Sequence, residues 1–291
     1  MKKKKIAICG SPSFSIPFFQ ELKEDPEVEI VFGLTQNGKA KNRGKKIEKT
    51  KVAQWCIENE IECIEIESIK RMPLEEKEEV EKKLSELDSV LLFAFGQIIP
   101  QKWLNLPKNG WLNIHPSDLP KLRGPSPIQY TILEGSKQSA ITLMEIDSKM
   151  DEGNIISKLN FEINEEETFE DLVEKICKIG PNWILKKIKE YLNKEIKSYK
   201  QEGEATYSKL IKKSDYILKE KGKEALRKIR ALGYVKIERE NDTIKCYKAK
   251  LKDKESKIEF NEIEPLILQL PGKNKVNQKE YLNGLKNQKK R

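Results

Sequence analysis

Histidine occurs once in the 291 residues, in the stretch WLNIH at 111–115. If this apolar run is a strand, its two-residue period sets Trp111, Asn113 and His115 on one face and Leu112 and Ile114 on the other. Asn113 and His115 then project side by side. They offer an amide donor and an imidazole to one carbonyl oxygen, the equipment of an oxyanion site. The run opens into PSDLPKLRGPSP, dense in proline and glycine, and α/β proteins carry their chemistry at such strand-to-loop junctions. By spacing alone a plain structural histidine is the commoner reading. A second candidate lies in DSKMDEGNI (147–155), between two expected strands. Asp151 reads either as a turn acid ahead of Gly153 or as an acid that orients and charges His115 across the sheet end, and spacing does not choose. The D-x-D-x-D-G ligand spacing of a Ca²⁺ loop is absent. The five cysteines are odd in number and lack CxxC spacing, which with a single histidine argues for reduced thiols and no metal site. GxSxG, HExxH and Walker A patterns are missing.

The elements that must position these residues follow from periodicity. KIAIC (5–9), VEIVFGLT (28–35), IECIEI (61–66), SVLLFAFG (89–96), SAITLMEI (139–146) and NIISKLNFEI (154–163) read as strands. Helical spacing covers Phe14 to Leu22, VAQWCIENE, LEEKEEVEKKLSEL and a segment near 127–134. Thr168 with Asp171 resembles a capping box that opens a long helix, expected to break at Gly180–Pro181. Strands alternating with helices predict a mostly parallel, Rossmann-like sheet. GSPSFS after the first strand has one glycine and a proline, so it fits a strand-to-helix turn better than a dinucleotide loop. The basic segment NGKAKNRGKK (37–46) is expected to be a loop, either a solvated charge run or a phosphate contact.

Composition shifts after residue 204. One helix (223–232) precedes short alternating runs: YVKIERE, an ND turn, TIKCYKAKL, KIEF and LILQL. Two domains are expected, 1–204 and a small β-rich, OB-like module at 205–291, with a frayed tail at KNQKKR. The net charge of +9 is uneven: residues 205–291 hold 24 Lys and Arg against 12 Asp and Glu, leaving 32 against 35 before them. A basic module on a near-neutral body points to a polyanion, most simply nucleic acid. The bland alternative is a lysine-rich style of composition, against which the near-neutral first part counts. MKKKKIAICG imitates a signal peptide faintly, but its apolar stretch is too short, and a cytoplasmic protein is expected.

In order along the chain, GSPSFS, TQNGKAKNRGKK, AFGQIIP, GWLNIHPSDLPKLRGPSPIQ, ITLMEIDSKMDEGNII and TYSKLIK resemble the methionyl-tRNA formyltransferases, within the 10-formyltetrahydrofolate-dependent N-formyltransferases. The resemblance covers roughly residues 5 to 215. It implies that Asn113, His115 and Asp151 are a catalytic trio. It implies that Phe95, Gly96 and Gln97, with Ser117, Asp118, Leu119 and Pro120, line the folate site, and that Arg43, Lys45 and Lys46 meet the tRNA acceptor end. The implied reaction is formyl transfer from 10-formyltetrahydrofolate to initiator methionyl-tRNA for translation initiation, without a metal or a membrane, by a monomer. Two departures stand out. Asp118 replaces a usual leucine, and SDYIL follows KLIKK where the family has Ile-Asp-Trp. The alternatives are an aminosugar-nucleotide N-formyltransferase and an inactive tRNA-binding relative.

Overall fold

Each apolar run becomes a strand when a neighbour covers it, and the order of neighbours decides which residues meet. The computed structural model describes residues 3–41, 46–240, 242–256 and 258–288. The first stretch contains β1 (Lys4–Gly10), α1 (Ile16–Glu24), β2 (Val28–Gln36), β3 (Lys39–Lys41) and β4 (Lys46–Glu48). Next come α2 (Lys51–Glu58), β5 (Cys63–Ile66), α3 (Leu74–Ser85), β6 (Ser89–Phe93), α4 (Gln101–Leu104) and β7 (Trp111–His115). After them lie α5 (Pro127–Leu133), β8 (Gln138–Glu145), β9 (Ile155–Glu162) and α6 (Phe169–Leu192). The chain ends in α7 (Gly222–Leu232), β10 (Val235–Glu238), β11 (Thr243–Leu251), β12 (Ile263–Gln269), β13 (Lys275–Asn277) and α8 (Gln278–Gln288).

The main sheet has seven strands in the order β5-β2-β1-β6-β7-β8-β9. Pairing is parallel from β5 through β7, the Rossmann-like arrangement, and β8 then runs antiparallel to β7. The β1–β2–β6 centre is lined by Ala7, Cys9, Phe32, Leu34 and Val90. Four strands in chain order, β10-β11-β12-β13, form a separate antiparallel sheet over a core that includes Ala225, Ile229, Val235, Ile237 and Cys246. The chain forms two compact units. One comprises the residues through Pro125 with Ser139–Phe161 and Val173–Tyr207, the other Ser126–Gln138, Glu162–Leu172 and Ser208 onward. Among the described residues no helix is long and apolar enough to cross a membrane.

Several local expectations need correction. The helix α6 does not break at Gly180–Pro181. Proline costs about 3 kcal/mol inside a helix, but Ile176, Ile184 and Ile188 are all buried on its inner face. Each such burial contributes roughly 1.5–3 kcal/mol, so packing outweighs the lost hydrogen bond. Gly180 permits that packing, since a Cβ there would stand 2.6 Å from the Phe18 ring. The basic segment is not wholly loop, because Lys39–Lys41 pairs antiparallel with Lys46–Glu48. KIEF is not a strand among its described residues. Asn261 and Glu262 both take left-handed conformations, so Phe260 turns at once into β12 through a two-residue turn. The Thr168 capping box is present: Asp171 Oδ2 accepts the Thr168 N–H at 2.8 Å and Thr168 Oγ1 accepts the Asp171 N–H at 3.2 Å. Of the expected ND turn, Asn241 lies outside the described residues, as do the last three residues of the tail.

Candidate active site

The strand β7 is buried along its whole length and is fixed at its start by tryptophan. The Trp111 indole N–H donates to Trp103 O at 2.8 Å, and the Trp103 indole donates to the buried Glu81 at 3.0 Å. Buried polar groups of this kind are costly unless paired, so the two bonds set β7 against α4 in one register. From that register Asn113 and His115 follow on the face that Trp111 starts. His115 Nε2 lies 2.9 Å from Leu122 O. A carbonyl oxygen only accepts, so Nε2 carries the hydrogen and Nδ1 is left to face Asp151 Oδ2 at 3.7 Å. Asn113 Nδ2 donates to Asp151 Oδ1 at 3.4 Å, and Asp151 Oδ2 accepts the Gly124 N–H at 2.7 Å. The structure thus brings Asn113, His115 and Asp151 into one cluster.

Asp151 arrives by a route that alternation of strands and helices does not foretell. Because β8 is antiparallel, its last residue Glu145 pairs with Leu112 near the start of β7, and the 146–154 loop has to turn back to reach His115. The turn is tied at its base. The Glu145 carboxylate accepts from Tyr191 OH at 2.5 Å, Ser198 Oγ at 2.8 Å and Asn154 Nδ2 at 3.1 Å. Burial, with the hydrogen bond to the Glu145 carboxylate, pushes the Tyr191 phenol well above its ordinary range. Gly153 is required for the close approach, since a Cβ would fall 2.0 Å from Glu145 O. Asp147, the other acid of this loop, takes the turn role by accepting the Lys149 N–H at 2.9 Å.

Asp151 and Leu122 both hold left-handed backbone conformations, with φ of 54° and 58°. Such conformations cost of order 1–3 kcal/mol and persist where surroundings over-determine them. Here the 201–206 segment supplies the constraint. Gln201 Nε2 donates to Asp151 O at 2.8 Å and Gly153 O at 2.9 Å, while its Oε1 accepts from Arg123 Nε and Nη2 at 3.1 and 2.9 Å. Arg123 Nη1 also lies 3.3 Å from Glu152, and Thr206 Oγ1 accepts the Leu122 N–H at 2.9 Å. One amide therefore clasps the loop that carries Asp151 to the loop that holds His115. Sequence reading missed Gln201, which sits in a polar stretch without periodicity, and met Thr206 only as the first letter of TYSKLIK. Arg123 was visible only as a letter of PSDLPKLRGPSP.

The remaining candidates fall in different settings. Leu92 pairs with Asn113, so the turn after β6 leaves the sheet at the same end as His115. In that turn Phe95 is buried, its carbonyl accepts from Gln36 Nε2 at 2.7 Å, and Gly96 has a φ of 78°. The Gln97 amide is spent on backbone, accepting the Ile69 N–H at 2.9 Å and donating to Ile66 O at 3.1 Å. Ser117 is buried and donates to Lys121 O at 2.7 Å; Leu119 packs with Met144 and Ile155, and Pro120 is buried beside it. Asp118 pairs with Lys158 at 2.7 Å, so its charge is matched. Arg43 and Lys45 lie outside the described residues, and of Lys46 only its backbone place in β4 is described. Burial pushes the Cys177 thiol up to about 11 and that of Cys246 up to about 12, so neither is a nucleophile near neutral pH.

An amide donor, an imidazole with one open nitrogen and a carboxylate, all largely shielded from water, suit a reaction in which charge grows on a carbonyl oxygen while a proton leaves a nucleophile. Residues 3–188 match the family model described as formyl transferase. The chain is 36% identical over 211 residues to the methionyl-tRNA formyltransferase of Clostridium botulinum, covering 72% of this chain and 66% of that protein. It is 34% identical over 232 residues to that of Bacillus mycoides, covering 78% and 72%. These matches span about two thirds of the relatives' own length. Its fold is like that of the N-formyltransferase from Helicobacter canadensis solved with folinic acid and dTDP-3-aminofucose, with a TM-score of 0.61. That likeness covers 96% of this chain and 99% of the other at 19% identity, and it concerns the fold alone.

Proposed function

We propose that this chain, which belongs to the formyl transferase family, transfers a formyl group from 10-formyltetrahydrofolate to the amino group of methionyl-tRNA. The observation that carries the chemistry is the convergence of Asn113 and His115 on Asp151, at 3.4 and 3.7 Å. The folate supplies an activated formyl carbon when bound. As the amine nitrogen adds to that carbon, the C=O electron pair moves onto oxygen, where Asn113 Nδ2–H and the imidazole of His115 stabilise it. Asp151, opposite Nδ1, takes the amine's proton directly or through water and passes it to that nitrogen. His115 returns a proton to the departing nitrogen as the adduct collapses and the carbon–nitrogen bond to the donor breaks.

The turn at 95–97 and the segment 117–120 are proposed to wall the donor's site. With the Gln97 amide committed to residues 66 and 69 and Leu119 and Pro120 buried behind, backbone at Gly96 and the half-buried Asp118 are the groups left to meet the donor. The loop at Arg43, Lys45 and Lys46 and the basic residues of 205–291 are proposed to hold tRNA phosphates. The near-neutral body with its +12 tail favours a tRNA over an aminosugar nucleotide as acceptor. Transfer of labelled formyl from 10-formyltetrahydrofolate is to be compared on methionyl-tRNA and on aminosugar nucleotides. Selective labelling of the tRNA is expected; labelling of the sugar alone would reassign the acceptor.

A further inference from the structure

The edge strand β5 and the helix α2 before it each bring one cysteine to the same spot. In the parallel pairing of β2 with β5, Gly33 stands opposite Cys63. Neighbouring strands lie about 4.8 Å apart, and residues in register point their side chains to one face. On that face a Cβ at Gly33 would fall 2.8 Å from Cys56 Sγ. The Cys56 sulfur therefore occupies the room that a side chain at position 33 would need, next to Cys63. The Cys56 thiol donates a hydrogen bond to the Cys63 sulfur. The chain between them is a tight reversal, fixed by the Ile61 N–H donating to Cys56 O at 2.9 Å and the Gly33 N–H donating to Glu62 O at 2.8 Å. Cys177 and Cys246, by contrast, spend their thiols on carbonyls, Phe14 O at 3.4 Å and Lys248 O at 3.5 Å.

Two sulfurs in contact would serve packing alone if their surroundings were alike, and they are not. Cys56 is fully buried under α2, whereas Cys63 is half-buried on β5, the outermost strand of its sheet. The hydrogen bond from Cys56 holds the Cys63 thiol below its ordinary range, against burial and the Glu65 charge and with help from the Lys49 ammonium. The same bond, with burial, pushes the Cys56 thiol far up. One sulfur is thus partly open to solvent and inclined to the thiolate form, and the other stands behind it with a proton to give. We propose that Cys56 and Cys63 are a redox site that hydrogen peroxide converts to a reversible disulfide. The Cys63 thiolate attacks a peroxide oxygen: the S–O bond forms, the O–O bond breaks, and the departing hydroxide takes up the proton that Cys63 gave up. The Cys56 sulfur then attacks the Cys63 sulfenic acid. The S–S bond forms, the S–O bond breaks, and the hydroxyl leaves as water with the Cys56 proton. Two thiols lose two electrons and two protons, and one peroxide becomes two waters. The crosslink ties α2 to β5, whose last residue Ile66 accepts Gln97 Nε2 at 3.1 Å, so oxidation acts on the strand that steadies the 95–97 turn. The site does not depend on formyl transfer.

The test uses the full chain, reduced with dithiothreitol, freed of it and exposed to hydrogen peroxide in slight excess. Remaining thiols are blocked with N-ethylmaleimide under denaturing conditions, and cleavage after Glu58, Glu60 and Glu62 separates the two cysteines for mass spectrometry. The peptides holding Cys56 and Cys63 should be recovered as one species, two hydrogens lighter than their sum. Two of the five free thiols should be lost, with Cys9, Cys177 and Cys246 alkylated in full. Dithiothreitol should restore all five. Cys56→Ser should stop at the sulfenic acid, trapped on Cys63 by dimedone, and Cys63→Ser should leave Cys56 unoxidised, with circular dichroism checking the fold of each variant. Full alkylation of Cys56 and Cys63 after peroxide, loss of the other thiols at the same rate, or crosslinks that join two chains would overturn the proposal. None of these readouts involves formyl transfer, so the redox site and the catalytic reading fail separately.

Discussion

Around Asn113, His115 and Asp151 nearly every polar atom is matched within the chain, whereas on the outer face of the β10–β13 sheet Lys236 stands opposite Lys245, and neither these two nor Lys275 meets a carboxylate among the described residues. The matched groups are shielded from water, and the lysines are at least partly open to it. Chemistry on a carbonyl needs dipoles that do not reorganise as charge develops, and the groups proposed for catalysis are braced before any substrate arrives. Association with a polyanion gains from charge that is still unspent, because each phosphate contact releases counterions. The two regions should therefore fail in different ways when perturbed. Damage to the first should appear in kcat at any salt concentration, and damage to basic surfaces in KM and its salt dependence.

The largest effect is expected where the proposed reaction puts the oxyanion. His115→Ala and Asn113→Ala should each lower kcat by about 10²-fold or more with little change in melting temperature, and near-normal turnover in either would remove that residue from the site. Next comes the brace. Gln201→Ala frees Asp151 O and Gly153 O from their shared donor and should lower kcat about tenfold through misplacement of Asp151. If Gln201 positions the acid, the alkaline or acid limb of the kcat profile should move while KM for the folate stays put; a fall in stability alone, with an unaltered profile, would reduce Gln201 to a structural tie.

Smaller changes probe the basic surfaces. Replacing Arg43, Lys45 and Lys46 together with alanine should raise KM for tRNA about fivefold at low salt, with less effect at high salt. The folate KM should not follow, and a parent-like KM at every salt concentration would make this segment a solvated charge run. The smallest effect concerns acid stability of the second unit. Hydrogen bonds from Gln278 and Ser256, with the Lys250 ammonium nearby, hold the Glu264 carboxyl below its ordinary value. A depressed folded pKa gives stability that is complete above the unfolded value of about 4.3 and is lost as pH falls through the folded one. Thermal melts of the parent and of Glu264→Gln should therefore converge as the pH is lowered below about 4. A constant gap across that range would show that the bonds, and not the ionisation, matter.

Much of this molecule is legible along the chain. Runs of strand length mark all seven strands of the main sheet, continuously apolar where a strand is covered on two faces, as in β6, and alternating where it is not, as in β5. The two-residue period of WLNIH already sets Asn113 beside His115. The excess of lysine after residue 204 likewise shows in composition. Tertiary structure alone decided the rest. Asp151 joins the other two because β8 runs antiparallel and its loop doubles back, and strand direction is a choice among neighbours that periodicity does not encode. Gln201, 50 positions from Asp151 and 78 from Arg123, carries no local pattern, since its role exists only once two loops stand on either side of its amide. Lys236, Lys245 and Lys275 are scattered along the chain and align only in the register of four strands. Local sequence sets which face a side chain occupies; long-range hydrogen bonding sets what that face meets.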